Sequence, residues 1–137
     1  MKKCILAAVF SALILCACGR VTERDETAGS YRQVSQETAM EMMAAEEGYI
    51  ILDVRTREEY AQGHIEGAIC VPNEEIDGEP PAELPDKSQL IFVYCRSGNR
   101  SKQAAAKLFG MGYTNVVEFG GINTWPGAVV PGMEGDA

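Results

Sequence analysis

The sequence predicts an α/β protein in which helices cover both faces of a parallel sheet. Two continuous apolar runs of strand length, YIILDV at residues 49–54 and LIFVY at residues 90–94, are typical of buried parallel strands. A helical pattern follows each run, and strands that alternate with helices form parallel sheets. Ligand sites in such sheets lie beyond the carboxyl ends of the strands. The residues that follow each strand are therefore the first candidates for a functional site.

The elements up to the second strand have clear start and stop signals. A short strand is predicted at residues 31–34. Ser35 can cap the helix that follows over residues 36–47, and Gly48 can end it. The run at 49–54 then forms the second strand, which carries an aspartate near its end.

A capped helix separates the second strand from the third. Residues 56–59 read T-x-x-E, which is the capping-box pattern, and Gly63 can end the helix that starts there. The third strand is predicted at residues 68–71 and is closed by Pro72. The acidic, proline-bearing segment 73–87 has no clear period, so we expect it to be mostly loop with a turn of helix.

The last part of the domain places a cysteine where a functional site is expected. The most hydrophobic strand, at residues 90–94, leads directly into Cys95. A helix is predicted over residues 101–111 from its apolar face, and residues 116–119 complete the series of strands. Cys95 therefore lies at the carboxyl end of a parallel strand.

Composition and charge limit the classes of function. The chain has 137 residues, of which 46% are hydrophobic and 23% are charged, as expected for one folded domain. The formal net charge is −8 and no basic face is apparent, which argues against a nucleic-acid partner. An anionic substrate would need local positive charge.

The N-terminal residues predict export and a lipid anchor. Residues 1–17 carry Lys2 and Lys3 near their start and then the apolar run ILAAVFSALIL at residues 5–15, the pattern of a signal peptide. The following LCACG resembles the lipobox of bacterial lipoproteins and selects Cys18 for lipidation, whereas an ordinary signal peptide is the alternative. Residues 18–30 then form a flexible membrane tether, 31–133 the domain and 134–137 a tail. We expect a protein anchored to the bacterial cell membrane that faces outside the cytoplasm.

The stretch CRSGNR has the features of a reactive thiol site. A tight loop between a strand end and a helix start directs backbone N–H groups inward, where they stabilise an anion. Arg96 and Arg100 add full positive charges, and Gly98 permits the backbone torsions of such a loop. Cys95 should therefore ionise readily and act as a nucleophile. The alternative is a buried structural cysteine.

Five segments together resemble the single-domain rhodaneses, the sulfurtransferase family. They occur in the family's order and cover nearly the whole domain. The resemblance implies a central five-stranded parallel sheet flanked by helices, in agreement with the pattern above. The segments are LDVRTREEY (52–60), GHIEGAICVP (63–72), VYCRSGNRS (93–101), AAAKLFGMGYTNV (104–116) and GGINTW (120–125).

The resemblance implies persulfide chemistry. The Cys95 thiolate would attack the outer sulfur of a small anionic donor such as thiosulfate and release sulfite, leaving a persulfide. Cyanide, a small thiol or a protein thiol would then accept the sulfur. The resemblance implies neither a metal nor an organic cofactor.

The resemblance also assigns roles around the loop. Arg96 and Arg100 would orient the donor, with Arg100 favoured because Arg96 can point into solvent. Apart from the resemblance, Asp53 and Arg55 lie at a strand end, where they would orient the loop or its ligand, and a structural ion pair between them is the alternative. The backbone N–H groups that would hold the persulfide belong to Arg96, Ser97, Gly98, Asn99, Arg100 and Ser101.

Two other functions remain open at this point. A rhodanese-like module can bind a partner, or carry sulfur for it, without turning over thiosulfate. Phosphatases and arsenate reductases of the same fold separate cysteine and arginine by five residues, whereas this chain has C-x4-R. The shorter loop suits a sulfur atom better than a tetrahedral oxyanion.

Two further residues have structural interpretations. His64, in GHIEGA, is expected to hold a turn by hydrogen bonding rather than to act in catalysis. Cys70 lies on the third strand. With the family's strand order 1-5-4-2-3, one strand separates it from the strand of Cys95, a distance of roughly 10 Å. Because this exceeds the reach of a disulfide, we expect Cys70 to be a buried thiol.

Overall fold

The computed structural model describes residues 30–133 and confirms the α/β class. The expected signal peptide, Cys18, the tether as far as residue 29 and the tail at 134–137 lie outside these residues. No helix within 30–133 is long and apolar enough to cross a membrane. The elements in chain order are β1 (Arg32–Gln33), α1 (Gln36–Ala45), β2 (Ile50–Asp53), α2 (Arg57–Gln62), β3 (His64–Ile65), β4 (Ile69–Cys70), β5 (Ile91–Cys95), α3 (Asn99–Gly110), β6 (Val116–Gly121) and β7 (Val129–Val130).

The main sheet has five parallel strands in the order β1-β6-β5-β2-β4. This is the expected 1-5-4-2-3 order, because β3 is not part of this sheet. β3 instead pairs with β7 in a small antiparallel sheet that the sequence did not predict. The loop after β4 contains one 3-10 turn, as expected, at Asn73–Glu75.

Side chains from alternate positions of β5 enter two separate cores. Val93 and Cys95 lie in the core that includes residues of α3. Phe92 and Tyr94 lie in the other core, which includes residues of α1 and α2. A strand that is buried along its whole length, as β5 is, explains the continuous apolar run at this place in the sequence. Helices therefore cover both faces, as predicted.

The predicted N-terminal caps of α1 and α2 form, whereas α1 ends at Ala45 with Glu46 as its C-terminal cap rather than at Gly48. The Ser35 side chain accepts a hydrogen bond from the Thr38 N–H at 3.1 Å at the start of α1. Both bonds of the capping box at α2 are present, between Thr56 and Glu59, at 2.9 and 3.2 Å. Helix α3 begins at Asn99 rather than at Ser101, because the chain turns into it at Gly98.

Candidate active site

The thiol of Cys95 is held at the end of β5 and beneath the start of α3. Gly98 is the N-terminal cap of α3 and has a φ of 106°, a left-handed conformation that favours glycine. This conformation directs the Gly98 N–H at the Cys95 sulfur, with N and Sγ 3.0 Å apart. The loop therefore has the inward-facing donor that the sequence predicted, and Cys95 itself is buried.

Hydrogen bonding determines the protonation of this thiol. Burial alone raises the pKa of Cys95 because it disfavours a charge. Hydrogen bonds from the Ser101 side chain and from the backbone N–H groups of Ser101, Gly98 and Ser97 outweigh burial, and the pKa lies below its ordinary value. A lowered pKa increases the fraction of nucleophilic thiolate at neutral pH.

The two arginines of the loop have different surroundings. Arg96 is exposed, and no carboxylate among residues 30–133 forms an ion pair with it. Arg100 is partly buried and donates to both carboxylate oxygens of Glu59, at 2.8 and 3.0 Å. The charge of Arg100 also acts on Cys95. An anionic donor would therefore meet Arg96 first, whereas Arg100 would have to leave Glu59 to bind it.

Glu59 links this loop to α2, which predicts an acid-sensitive contribution to stability. The bonds from Arg100, followed by those from Thr56, lower the pKa of Glu59 from 4.5 to about 2 although burial opposes this. Because the folded-state pKa is depressed, the stabilisation is complete above pH 4.5 and is lost as pH falls towards 2. Urea unfolding should therefore show that the free energy of unfolding falls less in Glu59→Gln than in the wild type when the pH is lowered from 4.5 to about 2. Equal decreases in the two proteins would contradict this prediction.

Arg55 occupies the structural ion pair that the sequence left open as an alternative. It is buried, and its Nη2 lies 2.6 Å from Oδ2 of Asp53. The same carboxylate accepts from the hydroxyl of Tyr94 at 2.6 Å, and Nη2 also donates to the carbonyl of Gly63 at 2.7 Å. Burial, followed by the charge of Asp53, raises the pKa of Tyr94 and keeps the phenol protonated. The structure therefore places the Arg55 guanidinium in a buried hydrogen-bond network with Asp53 and the Gly63 carbonyl.

His64 and Cys70 lie as expected. The Nδ1 of His64 is 2.9 Å from the carbonyl oxygen of Tyr60, and the two rings stack with centroids 3.7 Å apart. This contact holds the turn after α2. Cys70 and Cys95 are both buried thiols. β2 lies between their strands, which explains why they do not form a disulfide.

The end of β6 and the residues after it support the entrance of the loop. Gly121 lies against the backbone of Arg96 and Ser97, so closely that a Cβ at this position would overlap the Arg96 carbonyl. The N–H of Asn123 donates to that carbonyl at 3.3 Å. Gly121, the second glycine of GGINTW, is therefore needed for a close approach of two backbones.

Glu118 is a buried acidic residue at the site that sequence reasoning missed. It lies in the middle of β6 and is only 3% exposed. Its Oε1 accepts from the hydroxyl of Ser101 at 2.6 Å and from the N–H of Gly120 at 2.8 Å. The sequence could have indicated Glu118, because it is a charged residue inside the otherwise apolar strand VVEF.

Comparisons with known proteins agree with this geometry. The family model described as Rhodanese-like domain matches residues 35–128. The chain is 42% identical over 71 residues to Thiosulfate sulfurtransferase PspE of Escherichia coli (strain K12), covering 52% of this chain and 68% of that protein.

A second relative and a solved structure extend the comparison. The chain is 33% identical over 108 residues to Putative sulfur carrier protein YrkF of Bacillus subtilis (strain 168), covering 79% of this chain but 52% of YrkF. Among solved structures, a rhodanese with anions from E. coli has a TM-score of 0.57 and 38% identity. That match covers 61% of this chain and 99% of the other.

Proposed function

This chain belongs to the rhodanese-like domain family, and on that premise we propose that it is a sulfurtransferase that works through a Cys95 persulfide. The single observation that carries the proposal is the hydrogen bond from the Gly98 N–H to the Cys95 sulfur at the end of β5, with N and Sγ 3.0 Å apart. A thiolate in this position is stabilised by hydrogen bonds from the loop. Similarity to Thiosulfate sulfurtransferase PspE supports the same reaction class.

The proposed reaction has two displacement steps. The Cys95 thiolate attacks the outer sulfur of thiosulfate, the bond between the two thiosulfate sulfurs breaks, and sulfite leaves with the electron pair. Cyanide or a thiolate then attacks the outer sulfur of the persulfide and releases the Cys95 thiolate. Charge is conserved in each step, and no oxidant or reductant is consumed. Backbone N–H groups of Arg96–Ser101 stabilise the terminal sulfur.

The charges around the loop support an anionic donor. The chain as a whole repels anions, because its formal net charge is −8. Arg96 is exposed and forms no ion pair with a carboxylate of the described residues, so its charge can attract the donor to the loop. Arg100 adds positive charge next to Cys95 even while it is paired with Glu59.

A sulfur carrier that does not turn over thiosulfate is the second candidate. It is supported by the match to Putative sulfur carrier protein YrkF, which covers more of this chain than the PspE match does. Such a carrier would use the same Cys95 persulfide but would receive and deliver sulfur through protein thiols. The C-x4-R spacing makes a phosphatase or arsenate reductase a minor alternative.

Steady-state turnover separates the first two candidates. We expect the purified protein to form thiocyanate from thiosulfate and cyanide, with a rate that saturates with thiosulfate. Arg96→Ala should raise KM for thiosulfate by about tenfold, because it removes a charge that attracts the donor. A protein that forms a persulfide but yields no more thiocyanate than the uncatalysed reaction would be a carrier. A protein that forms neither would contradict both candidates.

We also propose that the domain is exported and lipid-anchored outside the cytoplasm. The pattern of residues 1–18 supports this location, and Cys18 would carry the lipid. The wild type should fractionate with membranes and Cys18→Ser should not. Equal fractionation of the two proteins would contradict the anchor.

A further inference from the structure

Cys95 and Glu118 compete for one hydroxyl proton. The Ser101 oxygen lies 3.4 Å from the Cys95 sulfur and 2.6 Å from Oε1 of Glu118. The Gly98 carbonyl is a third, uncharged acceptor at 3.0 Å. Serine has a single hydroxyl proton, so it can donate fully to one of these groups at a time. The carboxylate is the closest acceptor, and a distance of 2.6 Å is typical of a strong charge-assisted bond.

The environment of the three side chains strengthens this competition. Their residues are 1%, 0% and 3% exposed in the order Cys95, Ser101 and Glu118, so water has little access to replace a missing bond. Glu118 forms no ion pair with a cation of residues 30–133. Its carboxylate is stabilised instead by Ser101 and by the Gly120 N–H at 2.8 Å.

Two proton arrangements satisfy all three groups. In the first, Glu118 is a carboxylate, Ser101 donates to it, and the Cys95 S–H donates to the Ser101 oxygen. In the second, the proton of Cys95 has moved to Ser101 and the proton of Ser101 has moved to Glu118. Ser101 then donates to a Cys95 thiolate and accepts from a neutral Glu118 carboxyl group. One S–H and one O–H bond break and two O–H bonds form, so protons and charge balance.

We propose that Glu118 is a positioning residue that determines, through the Ser101 hydroxyl, whether Cys95 is held as a hydrogen-bonded thiolate. A neutral side chain at position 118 releases the Ser101 proton to the sulfur, whereas a carboxylate retains it. This inference rests on Cys95 being the nucleophile of the proposed function. It does not depend on which donor or acceptor the protein uses.

Two other titratable groups lie near the pair. Tyr31, just before β1, faces Glu118 closely enough for its pKa to be raised by that charge in addition to burial. Arg100, on α3, acts on Cys95 but is bound to Glu59. Neither hydrogen-bonds to Ser101, so the Ser101 proton is the direct link between Cys95 and Glu118.

The test measures the ionisation of Cys95 without measuring sulfur transfer. Thiolate absorbance near 240 nm, taken as a difference from Cys95→Ser, and the rate of iodoacetamide labelling of the Cys95 peptide are followed against pH. Glu118→Gln, which resembles the neutral carboxyl group, should lower the midpoint of the Cys95 titration. Labelling should accelerate about tenfold below the wild-type midpoint, because one bond to a charged group shifts a pKa by about one unit. Glu41→Gln removes the same charge from an exposed position of α1 and should change nothing.

The double variant distinguishes the hydroxyl from a simple charge effect. Ser101→Ala alone should raise the Cys95 midpoint, because the Ser101 side chain provides one of the hydrogen bonds that lower the pKa of Cys95. Glu118→Gln with Ser101→Ala should lose the acceleration, and Glu118→Gln with Ser101→Thr, which keeps a hydroxyl, should retain it. Acceleration that persists fully without the hydroxyl, or a Glu118→Gln protein with an unchanged or higher midpoint, would overturn the proposal.

A second measurement covers the case in which Glu118→Gln does not fold. In the wild type below the Cys95 midpoint, the infrared band of a neutral carboxyl group should accompany the thiolate absorbance, and both should weaken in Ser101→Ala. Thiolate that is present below the midpoint with no such band in the wild type would overturn the proposal. Because neither measurement uses thiosulfate, failure of the proposed function would leave both results interpretable.

Discussion

Cys95→Ser should reduce thiocyanate formation from thiosulfate and cyanide to the uncatalysed rate, a loss of at least about a thousandfold. Serine has nearly the same shape, so the loop should remain folded. Its hydroxyl does not ionise near neutral pH, however, and it cannot form a persulfide. The loop N–H groups would then bind a neutral oxygen where the wild type places a sulfur anion.

Cys70→Ala is the matched control for this variant. Cys70 is the other thiol of the described residues, it is also buried, and it lies two strands away in the sheet. Its loss should leave the rate of thiocyanate formation within about twofold of wild type, while removal of buried volume lowers stability slightly. Loss of activity in the Cys70 variant with retention in the Cys95 variant would contradict the assignment of the nucleophile.

Gly121→Ala should destabilise the protein and displace the active loop. The added Cβ would overlap the carbonyl of Arg96 and would lie 2.6 Å from the Ser97 nitrogen. Both neighbours are backbone atoms, which cannot move away as the end of a side chain can. We expect a loss of about 3 kcal/mol in the free energy of unfolding, at the upper end for overpacking.

The displacement should also reduce activity in the folded fraction of Gly121→Ala. Arg96 and Ser97 begin the loop that surrounds the Cys95 sulfur, so a shift there misaligns the N–H donors. Gly110→Ala is the control, because a Cβ at that position of α3 meets no atom within 4 Å. It should be neutral or slightly stabilising in the same urea titrations. A Gly121→Ala protein with wild-type stability and rate would contradict this account of the close approach.

The sequence predicted the sheet and its helices because their signals are local. The buried strand β5 reads as a continuous apolar run, and the Thr56–Glu59 capping box marks the start of α2 within four positions. The loop could be interpreted because Cys95 and its N–H donors are adjacent in the chain. The order of the strands followed from the resemblance to the rhodaneses, and the structure confirms it.

The contacts that the sequence did not predict join residues that are far apart in the chain. Arg100 pairs with Glu59 across 41 positions, and Ser101 bonds to Glu118 across 17. No periodicity or spacing encodes such pairs, because they depend on which side chains the sheet order brings together. β3 and β7 were missed for the same reason, since each is only 2 residues long and its partner is remote.

The mass of the protein before and after exposure to thiosulfate tests the central claim most directly. We predict a gain of about one sulfur atom, about 32 Da, on the Cys95 peptide of the wild type. Cyanide should remove the added mass and release thiocyanate, and Cys95→Ser should gain nothing. A wild-type protein with no added mass, or one in which the added sulfur maps to another cysteine, would contradict a Cys95 persulfide.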